Sequence, residues 1–200
     1  MLRVAVTGGA GAGKSMVCDC FGRLGAYVIS LDELARQVVQ RDSAILEAIA
    51  GHFGKDILTA NGSLDRRKLR GIILRDESER KVLEGLTHPE IFRLFEEKVA
   101  AIESRHEDAV VVVEVPLLVE LGIQGQFDVV VLVEAGSDLQ KNRLMARNGS
   151  SAAEAQALLD IQMPAEKKRQ YADHIVENRG RVQDTEVAVR RIYRKITKGV

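Results

Sequence analysis

The feature that most constrains how this chain folds is the stretch GGAGAGKS at residues 8–15, which follows directly on the apolar run LRVAVT at 2–7. It fits the pattern GxxxxGK[ST] as Gly8-x-x-x-x-Gly13-Lys14-Ser15, and the residues after it, Val17, Cys20, Phe21 and Leu24, recur at helical spacing. Strand, glycine loop and helix is the setting that this pattern needs. The glycines let the backbone curl so that its amides face phosphate oxygens, and the helix N-terminus adds positive potential. Gly8, Gly11, Ala12 and Gly13 are therefore predicted to line a triphosphate, Lys14 to contact its terminal phosphates, and Ser15 to ligate Mg²⁺, with Met16 next in line. The glycines lack the spacing of the dinucleotide fingerprint GxGxxG.

Around this loop, short β-branched runs alternate with segments of helical period. The predicted strands are 2–7, 26–30, 109–115, 128–134 and 174–178, mostly apolar at consecutive positions, as expected of parallel strands covered on both faces. The helix after the loop should run about 12 residues. Between the second and third strands lie roughly 80 residues, far more than a crossover needs. Residues 33 to about 105 are read as a mostly helical insertion, with Ile45 and Ile49 on one helix, Phe92, Phe95, Val99 and Ile102 on another, and ANGS at 60–63 as a turn. After the fourth strand two helices are expected, broken at Asn148-Gly149-Ser150, with Ser151 and Glu154 forming a capping box for the second. Pro116 should end the third strand, and the last helix should start near Thr185.

Length and charge narrow the function. With 200 residues there is room for one core plus an insertion or lid. Lys and Arg together equal Asp and Glu at 29 each, so no general pull toward nucleic acid or acidic membrane is expected. The longest apolar stretch, 109–123, is interrupted by Glu114 and Glu120 and is too short to span a bilayer. No signal-peptide pattern opens the chain, and a cytoplasmic protein is expected. Cys18 and Cys20 would point to opposite sides of a helix. Cys20 is read as packed with Val17 and Phe21, and Cys18 as a free thiol.

A phosphate loop leaves the acceptor open. Asp32 follows directly on the second strand, at the sheet edge where ligands of open parallel sheets bind, and Arg36 comes four residues later. Two readings fit. Asp32 is either a carboxylate that takes a proton from an attacking hydroxyl, or a helix acid paired with an arginine one turn on.

At this point the order of motifs becomes informative. Gly8 to Ser15, LDELARQ after the second strand, Leu86-Thr87-His88-Pro89, Val115-Pro116-Leu117-Leu118-Val119-Glu120, Gln162 through Lys168, Ala172-Asp173 and Asn178 together resemble the dephospho-CoA kinase family over residues 2 to about 180. The resemblance implies an α/β, three-layer P-loop kinase fold with a five-stranded parallel sheet of order 2-3-1-4-5. It implies a core of about 1–32, 106–136 and 168–200, a CoA-binding insertion of about 33–105 and a lid of about 137–167. The implied reaction moves the ATP γ-phosphate to the ribose 3′-hydroxyl of dephospho-CoA, with Mg²⁺, in a monomer or weak homo-oligomer.

Carried over by position, the resemblance makes Asp32 the base and Arg36 a substrate arginine. His88 then stands with Pro89 where the insertion returns to the core, and Pro116 and Leu117 stand at the substrate. Arg143 and Arg147 fall in the lid, four residues apart and able to face one polyphosphate. Asn178 falls where the family contacts adenine, while its place before Gly180 also suits a turn. The chain departs from the family at Ser30, where an acid is common, at Met16, where threonine is usual, and at Glu114, often aspartate, which could reach the metal through water. Two other readings are a kinase for another nucleotide-like acceptor and a nucleotide-operated switch. Against the switch, neither NKxD nor a convincing DxxG is present.

Overall fold

The computed structural model describes residues 1–199. Its elements, in chain order, are β1 (Leu2–Thr7), α1 (Lys14–Arg23), β2 (Tyr27–Ser30), α2 (Leu31–Gln37), α3 (Ala44–Phe53), α4 (Arg66–Ile73), α5 (Glu77–Glu103), β3 (Val110–Glu114), β4 (Val129–Glu134), α6 (Ser137–Asn148), α7 (Ala152–Asp160), α8 (Ala165–Lys168), β5 (His174–Glu177) and α9 (Val182–Ile196). The chain divides into two compact units, Met1–Ser30 with Val99–Val200, and Leu31–Lys98. The insertion expected at 33–105 overlaps the second of these units.

The first unit is built on five strands in the order β2-β3-β1-β4-β5, every neighbouring pair parallel. Runs of consecutive valines suit this sheet because both of its faces are dry. Val4, Val6, Val112, Val131 and Val133 join Val17, Phe21 and Val189 in one cluster. Ala5, Val111, Val113, Val130 and Leu132, which alternate with them, are buried as well. The edge strands β2 and β5 have four residues each and leave Val28 and Ile175 exposed.

Packing fills in what the sequence left open around α1. α1 packs against both the sheet and α9, so two of its sides are covered. Cys18 is a free thiol, as read, and lies as deep in the core as Cys20, at 1% and 4% exposure. Burial, followed by the nearby charge of Glu114, pushes the Cys18 thiol well above its ordinary value. The last helix starts at Val182, a turn earlier than Thr185, while α1 has 10 residues where about 12 were expected.

Strand register places the chemistry. Val6 pairs with Glu114, Thr7 with Leu132, and Ser30 with Glu114. The carboxyl ends of β1, β2, β3 and β4 therefore finish at the level where the glycine loop begins.

The second unit is helical. Ser43 caps α3 by accepting from the Leu46 amide, and Asp65 caps α4 by accepting from the amides of Arg67 and Lys68. The turn at 60–63 is closed by the Thr59 amide donating to the Ser63 carbonyl at 2.8 Å. His88 and Pro89, expected where the insertion returns to the core, lie inside the 27-residue α5. Pro89 has no amide hydrogen for the carbonyl four residues back, and the helix continues on both sides of it.

Candidate active site

The glycine loop is shaped by contacts that exclude larger side chains. A Cβ on Gly8 would lie 2.3 Å from the Val133 carbonyl oxygen, and one on Gly13 would lie 2.1 Å from the Asn178 amide nitrogen. Gly13 also adopts φ 93°, a left-handed conformation that lets the loop turn into α1. No side chain caps α1, so the amides at its start remain directed at the loop.

Four side chains from distant parts of the chain hold this loop. Gln140 donates to the Ala10 carbonyl at 3.1 Å, while the Ala10 amide donates to Gln162 at 2.6 Å. Arg143 donates to the carbonyls of Gly11 and Ala12 at 3.3 and 3.2 Å and to that of Asn178 at 3.2 Å. The Asn178 amide donates to the Ala12 carbonyl at 2.8 Å, and its oxygen accepts from the Thr185 hydroxyl at 3.3 Å. Asn178 and Thr185 are buried.

The predicted phosphate residues lie inside this frame. The Lys14 ammonium is folded back onto the carbonyls of Gly8 and Gly9, each at 3.1 Å. Ser15 donates to Glu114 Oε1 at 3.0 Å, and Glu114 is only 7% exposed. Sheet register, rather than nearness in sequence, brings this carboxylate to the serine. Met16 follows in the first turn of α1.

A second tier supports the strand ends. Glu134, at the end of β4 and 3% exposed, accepts two hydrogen bonds from Arg169, which hold that guanidinium above its ordinary value. The Lys168 side chain is fully buried, with its ammonium 2.9 Å from Glu120 Oε1 and 3.0 Å from the Pro116 carbonyl. The same Glu120 oxygen accepts from the Met163 amide at 2.9 Å. Pro116 and Leu117 are thus in a turn tied to the end of α8, at Lys168.

Sequence reasoning assigned Arg143 to the nucleotide but missed Gln140, Thr185, Glu134 and the Lys168–Glu120 pair. Gln162 and Lys168 stood within the recurring motifs without a role, and Gln140 carried no signal. Asn178 was read as an adenine contact or a turn residue, yet its side chain is engaged by Ala12 and Thr185. Arg147 lies exposed near the end of α6.

In the second unit, Asp32 and Arg36 are exposed on α2, one turn apart. Among the described residues they form no ion pair, so the alternative of a structural acid–arginine pair is not realised. His88 packs edge-on against Phe92, ring centroids 6.0 Å apart.

A phosphate loop that presents a lysine and a serine beside a buried carboxylate is equipped to bind a nucleotide polyphosphate and its metal. The comparisons with known proteins narrow this further. A family model described as dephospho-CoA kinase matches residues 2–184. The chain belongs to the dephospho-CoA kinase family. It is 38% identical to the dephospho-CoA kinase of Syntrophotalea carbinolica, with all of this chain and 94% of that one aligned. It is 41% identical to that of Mycobacterium tuberculosis over 92% of this chain. The chain spans 44% of the length of that mycobacterial relative. The structure of dephospho-CoA kinase from Campylobacter jejuni superposes with TM-score 0.70 at 28% identity, covering 98% of each chain. The α/β, P-loop kinase fold and the strand order read from the sequence are those of this family.

Proposed function

We propose that this chain transfers the γ-phosphate of ATP to the ribose 3′-hydroxyl of dephospho-CoA, giving coenzyme A and ADP in the last step of coenzyme A synthesis. The observation that carries the proposal is the braced loop with Lys14 and the Ser15–Glu114 pair, in a chain of the dephospho-CoA kinase family.

When ATP enters, Lys14 exchanges its bonds to the Gly8 and Gly9 carbonyls for phosphate oxygens. Arg143, already at the loop, turns from the Gly11 and Ala12 carbonyls toward the transferring group, with Arg147 one turn further along α6. Charge-assisted bonds to a phosphate are stronger than those to neutral carbonyls, so the exchange favours the bound state. Asn178 holds the loop in place and contacts the nucleotide side through it. On the second unit, Asp32 takes the proton of the 3′-hydroxyl as the oxygen attacks phosphorus, and Arg36 and His88 contact the acceptor, as do Pro116 and Leu117 of the first unit. The reaction needs no covalent enzyme intermediate.

Ser15 and Glu114 fit Mg²⁺, since both offer hard oxygen donors and the carboxylate is held at the serine. Bound there, Mg²⁺ would offset triphosphate charge. Among the described residues no group of three or more His, Cys, Asp or Glu is placed to hold a metal, so phosphates and water would complete its coordination. Among the described residues no helix is long and apolar enough to cross a membrane, which accords with a cytoplasmic enzyme. We take it to act as a monomer or weak homo-oligomer.

The test is ATP-dependent conversion of dephospho-CoA to coenzyme A by the purified protein, run beside nucleosides and nucleoside monophosphates. Formation of coenzyme A with Mg²⁺ present is expected. Absence of product from dephospho-CoA, or faster turnover of another acceptor, would overturn the assignment.

A further inference from the structure

In the second unit, Arg36, Arg66 and Arg70 come together without a carboxylate partner among the described residues. Arg66 and Arg70 stand four residues apart on α4, on one helix face. Arg66 Nη2 lies 3.5 Å from the carbonyl oxygen of Arg36 on α2, so the two helices bring all three arginines into one neighbourhood. Among the described residues none of the three forms an ion pair.

The unit does not lack acids; several of them are paired with other cations. Lys68 pairs with Asp56, Lys81 and Arg80 with Glu77, and Arg93 with Glu90 and Glu97. Asp65, next to Arg66 in sequence, is occupied as the cap of α4. Partial burial, and then the charges of Arg36 and Arg70, lower Arg66 from the ordinary arginine value. Like charges held together without a counter-ion oppose one another, and an anion with several oxygens relieves that.

We propose that Arg36, Arg66 and Arg70 form the seat for the 5′-diphosphate of the acceptor nucleotide. The proposal rests on reading dephospho-CoA as the acceptor, which carries such a diphosphate on the same ribose as the reacting hydroxyl. Asp32 precedes Arg36 by one turn of α2, a rise of about 6 Å, and only a few bonds separate a ribose 3′-oxygen from the 5′-phosphate. Seating the diphosphate on the arginines therefore presents the 3′-hydroxyl toward Asp32. Planar guanidinium forks suit adjacent phosphate groups better than lysine would. Arg66 and Arg70 become specificity residues for an acceptor bearing a diphosphate.

The experiment measures binding of dephospho-CoA, and separately of inorganic pyrophosphate, to the full chain with its nucleotide loop filled by a non-hydrolysable ATP analogue. Wild type is compared with Arg66→Gln, Arg70→Gln and Arg66→Lys, alongside steady-state turnover. Each glutamine variant should weaken both probes roughly 10–100-fold, as loss of a charge-assisted bond does. Arg66→Lys should recover part of the loss, while affinity for the ATP analogue stays within about twofold, the error of such comparisons. The unfolding temperature should hold or rise, because a repelling charge is removed. Unchanged binding of both probes would overturn the proposal even if wild type makes coenzyme A. So would weakened binding accompanied by a clear drop in unfolding temperature, the mark of a structural role. If pyrophosphate binding depends on Arg66 and Arg70 but wild type fails to phosphorylate dephospho-CoA, the diphosphate seat stands and the acceptor assignment falls.

Discussion

The two units treat their polar side chains in opposite ways. In the first, Lys14, Arg143, Asn178, Gln140 and Gln162 are already bonded to the backbone of the phosphate loop, and Ser15 is bonded to Glu114. In the second, Asp32, Arg36, Arg66 and Arg70 are exposed and, among the described residues, have no ion pair. The loop is assembled in advance, so binding a nucleotide there exchanges one set of bonds for a stronger one. The residues proposed for the acceptor instead keep their charge without an ion pair among the described residues. Substitutions of these residues should therefore act on stability as well as nucleotide binding in the first unit, and almost entirely on catalysis or binding in the second.

The largest effect should come from Asp32→Asn. Removing a base ought to lower kcat by about 10²–10⁴-fold, with unfolding unchanged. Retained kcat would remove Asp32 from the chemistry, and a loss of stability would break the contrast between the units. Next, Asn178→Ala leaves the Ala12 carbonyl and the Thr185 hydroxyl without their partner in a buried setting. Denaturant titration should show a loss of about 1–3 kcal/mol, together with a raised KM for ATP. If only the KM moved, Asn178 would touch the nucleotide instead of holding the loop.

A smaller change is expected from Ser43→Ala, which removes the cap of α3 and should cost about 1 kcal/mol. It serves as the control in the second unit, where a purely structural residue should leave both KM values alone. The smallest effect concerns pH. Burial lowers His174, at the start of β5, below the ordinary 6.5. The unfolded chain then binds this proton more readily than the folded one. The contribution is complete above about pH 6.5 and is lost as pH falls through the lowered value. Unfolding temperature measured from pH 7.5 to 5 should fall less steeply in His174→Gln.

Much of this was legible in advance because it depends on local pattern. The phosphate loop is a continuous run whose glycines, lysine and serine have fixed spacing, and the valine-rich strands declare a sheet with two dry faces. The capping box at Ser151 and Glu154 is present with both of its hydrogen bonds. What stayed hidden involves partners far apart in the chain. Glu114 reaches Ser15 across 99 positions, Asn178 reaches Ala12 across 166, and Gln140 reaches Ala10 across 130. No spacing rule links such pairs. The burial of Cys18 stayed hidden for a related reason: helical period identifies one apolar face, and only the fold brings both the sheet and α9 against α1.

The sequence by itself determined that a phosphate-loop motif joins a strand to a helix, that a parallel sheet carries the loop, and that an acid and an arginine follow the second strand. Those properties reside in short stretches, where backbone freedom and side-chain period act over one turn or one strand. The tertiary structure alone decided which residues brace the loop, that Asp32 is not spent on Arg36, and that Arg66 and Arg70 gather near Arg36. Those outcomes depend on strand register and on helices meeting, and they are set by burial summed over the whole fold, not by any one segment.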